Sequence, residues 1–419
     1  MKILFLLLIV FTFIQLNTPA QDGWFFQTSG TTADLNDVSF TDSDNGTAVG
    51  DNGTIIRTTD GGITWVLQAS GTTKNLSGVS FTDVNNGTAV GCCGPDGTII
   101  RTTDGGLTWT SQISGLNAWE GLWSVSFTDS LNGTAVGGDV ILRTTNGGTT
   151  WTLQSIDLNA FEGLISVSFT DLNNGTAVGS YGLILRTTDG GITWTEKRIG
   201  TIYTWYDVCF TDSANGTVVG AKELGGGIVF RTTDGGTTWN RQTDVVSLVL
   251  RGVSFTDADN GTVVGDHSGT IFKTTDGGTT WTNQTSGRYP ALYDVCFTDS
   301  DNGTAVGDYG TILRTTNGGV SFVEETEIEE VPTTFYLSNN FPNPFNSSSV
   351  IRYAVPQSAN VVIRVFDILG NEIETLVNEQ KNTGTYEITW YADNLPSGIY
   401  FYKLQAGDFV ETKKMILLK

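Results

Sequence analysis

The chain has 419 residues, a net charge of −22 and only 16% charged residues. A surface this acidic repels the phosphates of nucleic acids and of anionic lipids, so neither is an expected partner. One histidine and four cysteines argue against a zinc site of the usual kind and against a disulfide framework. The composition therefore predicts no metal and no cofactor.

Residues 1–20 have the pattern of a secretory signal peptide. Lys2 supplies the positive start, Ile3 to Ile14 form a short apolar stretch, and small residues precede Gln21. The apolar stretch is short for a membrane anchor. We therefore expect cleavage before Gln21 and no transmembrane segment afterwards.

An internal repeat fills the next 300 residues or so. The phrase Phe-Thr-Asp-x-x-Asn-Gly-Thr-Ala/Val-Val-Gly occurs seven times, at steps of 41 to 46 residues, and begins at Phe40, Phe81, Phe127, Phe169, Phe210, Phe255 and Phe297. The phrase Arg-Thr-Thr-Asp-Gly-Gly-x-Thr-Trp follows each copy, with small variations. Four short strands per copy at this period are typical of a propeller. The repeat predicts an all-β, seven-bladed β-propeller over residues 21–322.

Several positions of the repeat have a structural interpretation. Asn-Gly in the first phrase suits a tight turn with positive φ. The repeated arginine is expected to pair with a nearby aspartate. Cys209 and Cys296, which replace a repeated serine, are interpreted as core thiols, whereas the state of Cys92 and Cys93 stays open. The segment Trp24 to Gln27 resembles a fourth strand and could close the last blade, in competition with residues 320–323.

After the repeat the chain changes character. Residues 323–333 contain five glutamates and are expected to form an extended acidic linker. Residues 334–419 lack the repeat and are rich in β-forming residues separated by Gly and Pro turns. This pattern predicts a small, immunoglobulin-like β-sandwich.

Two resemblances to known families follow from these motifs. The second phrase resembles the Asp-box, or BNR repeat, of propellers in the photosystem II assembly-factor-like group, which is related to sialidases. The resemblance implies that the phrase is a structural hairpin and that its aspartates are not catalytic. The tail resembles a type A sorting domain of the type IX secretion system in Phe341 to Asn346, Val365 to Gly370, Leu395 to Tyr400 and the final Lys414 to Lys419. That resemblance implies the type IX machinery as a partner and a secreted or cell-surface location, reached through the periplasm.

Function is predicted on the face of the propeller that carries the second-to-third turns and the blade connections, because nearly all length variation falls there. Aromatic and acidic residues outside the repeat are the candidate ligand-binding residues: Trp119, Glu120, Trp123, Phe161, Glu162, Tyr203, Trp205, Tyr206, Tyr289 and Tyr293. They suit a glycan or a protein surface. Two alternatives are a glycoside hydrolase of sialidase or xyloglucanase type and an assembly scaffold for another surface protein. No catalytic residue is assigned.

Overall fold

The computed structural model describes residues 23–92, 97–116, 121–154, 156, 158, 162–200, 203–223, 225–242, 249–266, 269–284, 290–320, 332–392 and 394–419. The predicted signal peptide and most of the predicted linker lie outside these ranges. The chain divides between Phe322 and Val323 into two compact units. Nearly all regular structure in both units is β-strand.

The first unit contains seven four-stranded antiparallel sheets, which are the blades. The inner strands are Leu35–Phe40, Leu76–Phe81, Ser124–Phe127, Leu164–Phe169, Tyr203–Phe210, Leu250–Phe255 and Leu292–Phe297. The second strands are Gly46–Gly50, Gly87–Gly91, Gly133–Gly137, Gly175–Gly179, Gly216–Lys222, Gly261–Gly265 and Asn302–Gly307. The third strands are Ile55–Thr58, Thr98–Thr102, Val140–Thr144, Leu183–Thr187, Gly227–Thr232, Thr270–Thr274 and Thr311–Thr316. The outer strands of blades 1 to 6 are Val66–Leu67, Thr110–Gln112, Thr152–Leu153, Thr195–Arg198, Asn240–Arg241 and Thr282–Asn283.

The N-terminal strand Phe25–Gln27 closes the ring. It pairs antiparallel with Thr311–Thr316 and thereby becomes the outer strand of blade 7. Neighbouring inner strands contact each other around the ring, and blade 7 contacts blade 1. Just before this strand, Trp24 packs in the blade 7 core and donates from its Nε1 to Gln284 Oε1 at 3.0 Å. The seven blades predicted from the repeat are confirmed, and the N-terminus supplies the closing strand.

The first repeated phrase forms a hairpin for a reason other than the predicted one. Neither Asn45 nor Gly46 has a positive φ. Instead, Asp42 accepts hydrogen bonds from the backbone and side chain of Asn45. The ring of Phe40 lies over Gly46, where a Cβ would come within 2.3 Å of it. The glycine is therefore required by close packing of the phenylalanine ring.

The second repeated phrase forms the hairpin between the third and outer strands. Asp60 accepts hydrogen bonds from the hydroxyl of Thr58 at 2.8 Å, from the Thr64 amide at 2.9 Å and from the Thr64 hydroxyl at 2.6 Å. Trp65 then packs edge-on against Phe40 of the same blade. These contacts use both carboxylate oxygens, so the aspartate holds the turn together.

The repeated arginine joins neighbouring blades. The predicted aspartate, Asp42 for Arg57, attracts it without forming a direct ion pair. Arg57 lies over the ring of Phe81 in the next blade, with 5.1 Å between its Cζ and the ring centroid. It also donates to the hydroxyl of Thr47 and to the carbonyl of Val84. A cation over an aromatic face gains electrostatic attraction, to which the nearby aspartate adds. Arg101, Arg186, Arg231, Lys273 and Arg314 lie over the corresponding phenylalanines.

A ring of small side chains joins the inner strands. Ser39 Oγ accepts a hydrogen bond from the Phe81 amide of the next blade at 3.1 Å. Cys209 keeps the same contact, since its sulfur accepts from the Phe255 amide at 3.4 Å. Cys209 and Cys296 as whole residues are partly exposed. Their thiol groups are surrounded by protein atoms, and this burial raises the pKa of each thiol to about 12. They are therefore unreactive replacements for serine in this ring.

The second unit contains two sheets. The three-stranded sheet is formed by Tyr336–Leu337, Ser348–Val355 and Gly384–Tyr391, and the four-stranded sheet by Glu372–Lys381, Ala359–Phe366, Gly398–Ala406 and Phe409–Leu417. Side chains from both sheets form one core that includes Ile351, Trp390, Val365, Tyr402 and Met415. Two sheets that share one core form the predicted sandwich.

Candidate functional site

A cavity of about 510 Å³ lies in the propeller where the inner strands begin. Its lining includes Asp34 and Asn36 from the start of blade 1, and Asp51 and Cys92 from second-to-third turns. Blade connections and second-to-third turns share one face of an antiparallel blade. The cavity therefore lies on the face that the variation in loop length predicted.

A β-bulge in the inner strand places two consecutive side chains on the cavity. In blade 1, Leu35 pairs with Gly50 and Asp37 pairs with Val49, so Asn36 has no partner in the ladder. The same shift occurs in blades 2, 4, 5, 6 and 7. In a regular strand, neighbouring side chains point to opposite faces, so only one of two consecutive residues would face the cavity. A bulge turns the extra side chain toward the same side as its neighbour. Asn36 and Asp37 therefore both line the cavity, whereas Leu35 is buried in the core.

A glycine allows this bulge. Gly50 has an extended backbone with φ of −167°, a conformation that any residue adopts. However, a Cβ on Gly50 would lie 2.0 Å from the carbonyl oxygen of Asp34. Gly50 and its equivalents in the other second strands, such as Gly220 in blade 5, are therefore required by the close approach of the chain that enters the inner strand.

The unpaired bulge residue often bonds to the second-to-third turn of its own blade. Asn36 Nδ2 donates to Asp51 Oδ1 at 3.1 Å, and the Tyr293 hydroxyl donates to Asp308. Arg251 forms a two-point ion pair with Asp266, at 3.0 Å from Nε and 2.9 Å from Nη2. These bonds hold the side chains at the mouth of the cavity in place.

Three aspartates form the deeper layer of the cavity. Asp37, Asp207 and Asp294 occupy the position after the bulge, where the other blades have glycine or serine. Asp207 accepts from the Ser166 hydroxyl at 2.7 Å and from the Val253 amide of the next blade at 2.8 Å. The Val38 amide donates to both Asp37, at 2.9 Å, and Asp294, at 3.0 Å. These carboxyl groups join neighbouring blades and still reach the cavity.

Burial and mutual proximity favour the protonated forms of these acids. Burial raises the pKa of Asp37 to about 6. Burial, followed by the nearby Asp294, raises the pKa of Asp207 to about 7. Asp294 has a pKa well above its ordinary value, because of burial and of its hydrogen bond with Asp37. In this pair the protonated Asp294 carboxyl group donates a hydrogen bond to the carboxylate of Asp37.

This carboxyl pair predicts a loss of stability as pH rises. The unfolded groups titrate near 3.8 and the folded ones higher, so above about pH 4 the folded chain holds the extra proton. The stabilising effect of this proton is complete below pH 4 and is lost as pH rises through about 6, the pKa of Asp37 in the folded chain, and above. Asp294→Asn keeps a donor toward Asp37 without a titratable proton. We expect it to raise the stability of the chain at pH 8 relative to the wild type and to leave stability at pH 5 nearly unchanged.

Urea unfolding of the full chain at the two pH values checks this expectation. Asp259→Asn is a matched control, because it removes one exposed charge from the opposite face. An Asp294→Asn chain as pH-sensitive as the wild type would contradict the shared proton.

The structure brings together three of the ten predicted site residues. Trp123, Tyr206 and Tyr293 line the cavity, and Trp123 is 46% exposed. Tyr203 is partly buried and packs against Trp205 and Phe230 outside the cavity lining. Trp119, Glu120, Phe161 and Tyr289 lie outside the described residues.

Two of the predicted site residues have structural roles. Trp205 is 0% exposed and occupies the core position that is leucine in the other blades, so its prediction as a surface residue is wrong. Glu162 accepts from Arg198 Nη2 at 2.9 Å, and its side chain is only 9% exposed. Its carboxylate is occupied by this ion pair.

The three deep aspartates and Arg251 are the site residues that sequence reasoning missed. A register alignment of the seven inner strands on their Val-x-Phe ends would have shown them. At the residue before that valine, three copies have Asp and four have Gly or Ser. Among the described residues, no three acidic, histidine or cysteine side chains are placed to hold a metal ion.

Comparisons with known proteins agree with this architecture. Residues 339–418 match the secretion system C-terminal sorting domain family. Curated protein sequences gave no match. Within the described ranges, no helix is long and apolar enough to cross a membrane.

Solved structures resemble the propeller in fold. YCF48 from Cyanidioschyzon merolae is 22% identical with a TM-score of 0.59, and the match covers 70% of this chain and 98% of that one. A structure of YCF48 bound to D1 peptide is 22% identical with a TM-score of 0.57, covering 72% and 100%. The GH74 enzyme of Niastella koreensis is 16% identical with a TM-score of 0.58, covering 92% of this chain and 67% of the enzyme.

The sorting domain explains why the tail lacks the repeat and carries its own core. Such a domain directs a protein to the type IX secretion machinery, and the mature protein is secreted or displayed at the cell surface. The chain is thus a seven-bladed β-propeller with a type IX secretion sorting domain at its C-terminus.

Proposed function

We propose that this protein is an exported binding protein whose ligand occupies the cavity of the propeller. One observation carries the proposal: the seven copies differ most where they face the cavity. The bulge position, or its equivalent in blade 3, has seven side chains of six types, namely Asn36, Ser77, Trp123, Ile165, Tyr206, Arg251 and Tyr293. The residue before it is leucine in six blades. Repeats that keep the scaffold and vary one concave surface are suited to recognition.

The chemistry of the cavity suits a glycan or a polypeptide. Tyrosine and tryptophan side chains offer flat apolar faces, and carboxyl groups accept hydrogen bonds from hydroxyl, amide or ammonium groups. The similar YCF48 propeller is bound to a peptide in one structure. That precedent supports a polypeptide ligand for a propeller of this fold. The mature protein is proposed to begin at Gln21 and to lose residues 334–419 on export.

Hydrolysis has weaker support, although one similar structure is a GH74 enzyme. Glycoside hydrolysis needs two carboxyl groups roughly 5 to 9.5 Å apart on either side of the bond that is cut. Asp37 and Asp294 are instead hydrogen-bonded to each other and to one shared amide. Asp207 is held by the next blade. These contacts favour a structural role for the deep acids and binding as the function.

A cavity-filling variant tests the proposal. The full chain is screened against arrays of surface glycans and of peptides, and the best ligand is then titrated against the wild type and Ser77→Trp. Because Ser77 lines the cavity, the new indole should occupy ligand volume and weaken binding at least tenfold.

Ser43→Trp adds the same side chain to an exposed site on the opposite face and serves as the matched control. Equal weakening by both variants, or none by Ser77→Trp in a folded chain, would place the site elsewhere. Release of reducing sugars from a bound glycan would favour the hydrolase, and co-purification of one surface protein would favour the scaffold.

A further inference from the structure

The cavity contains an excess of acidic groups. Five aspartates, Asp34, Asp37, Asp51, Asp207 and Asp294, contribute to its lining. Because Asp37 and Asp294 share a proton and burial raises the pKa of Asp207 to about 7, the negative charge of the cavity rests mainly on Asp34, Asp51 and the Asp37 carboxylate. They accept hydrogen bonds from backbone amides or neutral side chains, as Asp34 does from the Tyr309 amide at 2.8 Å and Asp51 from Asn36. In the part of the chain that the structure describes, none of them has a lysine or arginine within ion-pair distance.

Arg251, which also lines the cavity, does not balance these acids. Its guanidinium is paired at two points with Asp266, which lies outside the cavity lining. The same guanidinium lies over the Tyr206 ring, 4.3 Å from its centroid. Since its charge is already matched by Asp266, Arg251 does not neutralise Asp34 or Asp51.

Aromatic faces accompany these acids around the ring. Trp123 in blade 3, Tyr206 in blade 5 and Tyr293 in blade 7 line the cavity, and the Trp123 ring is the most exposed part of this set. The negative face of an aromatic ring attracts cations, and tryptophan attracts them most strongly. Tyr206 already demonstrates this attraction with Arg251.

We propose that the cavity binds the ammonium or guanidinium group of an organic cation. The inference rests on the proposed function and names the chemistry of its ligand. The carboxylates of Asp34 and Asp51 would receive the charge, and the Trp123 ring would pack on the adjoining carbon chain. The net charge of −22 would steer such a ligand toward the protein.

The test is calorimetric titration of the full chain with single-charge probes. N-acetyl-lysine amide and N-acetyl-arginine amide are compared with the neutral N-acetyl-norleucine amide and the anionic N-acetyl-glutamate amide. We expect measurable binding of the two cations alone. A glycine-flanked peptide with one central lysine identifies the source: tighter binding than N-acetyl-lysine amide indicates a polypeptide ligand, and equal binding indicates a small free cation.

Variants give the inference two independent checks. Asp51→Asn should weaken binding of N-acetyl-lysine amide about fivefold, whereas Asp259→Asn, with the same change of charge on the opposite face, should leave it unchanged. Trp123→Leu should weaken it to a similar extent, and Trp123→Phe should retain most of it.

Equal affinity for the neutral probe, or unchanged affinity in both Asp51→Asn and Trp123→Leu, would overturn the inference. If the ligand is neutral and Ser77→Trp weakens its binding, the inference of a cationic ligand would be wrong. The proposed function, binding in the cavity, would still hold. A ligand found on the opposite face would instead overturn the proposed function.

Discussion

Gly50→Ala is expected to destabilise the propeller by about 3 kcal/mol or more. The added Cβ would lie 2.0 Å from the carbonyl oxygen of Asp34 and 3.0 Å from the Cα of Leu35. Both atoms belong to the backbone, so relief requires the bulge to move, and the bulge lies between two packed blades. Urea unfolding of the full chain, followed by tryptophan fluorescence, measures the loss.

Gly30→Ala is the control for this substitution. Gly30 has a φ of +75°, but no atom lies within 4 Å of an added Cβ. Its replacement should cost only the strain of a left-handed backbone, about 1 kcal/mol. A Gly50→Ala chain no less stable than Gly30→Ala would show that the bulge does not need the glycine.

Trp24→Ala should open the closing blade, at a cost of about 3 to 5 kcal/mol. Trp24 is 4% exposed and packs in a core with Val264, Leu292 and Leu313. Its ring also contacts Phe297 edge-on at 5.7 Å. The closing strand that follows has only three residues, so we expect its pairing with blade 7 to depend on this anchor.

Phe26→Ala provides the comparison within the same strand. Phe26 is 59% exposed, so the same loss of an aromatic ring should cost roughly 1 kcal/mol or less. Comparing the thermal unfolding temperatures of the two variants separates the anchoring of the closing strand by Trp24 from the mere loss of an aromatic ring. Similar unfolding temperatures for both would contradict closure through Trp24.

The ring was predictable because its signals are regular. Seven copies of two phrases at nearly constant spacing set the number of blades. The segment Trp24-x-x-Gln27, which resembles an outer strand but precedes the first copy, indicated the closing strand. Local rules alone misjudged some details of these phrases. Gly46 is needed for the ring of Phe40 above it, a contact between two strands that turn propensities do not describe.

The cavity was harder to predict because a single bulge decides which side chains reach it. In a regular strand, Trp205 and Asp207 would share a face and Tyr206 would point away. The shift between Trp205 and Asp207 places Tyr206 and Asp207 on the cavity and leaves Trp205 in the core. The prediction that aromatic residues outside the repeat lie on the surface was therefore correct for Tyr206, which lines the cavity, and wrong for Trp205, which lies in the core.

The proposed function requires that the ligand binds where the inner strands begin. Hydrogen exchange of the full chain, measured with and without the best ligand from the screen, tests it most directly. We expect slower exchange at residues 34–38, 123–126 and 205–208, which border the cavity, and no change in the hairpins 41–46 and 58–64 of the opposite face. Slower exchange confined to those hairpins, or to residues 332–419, would contradict it.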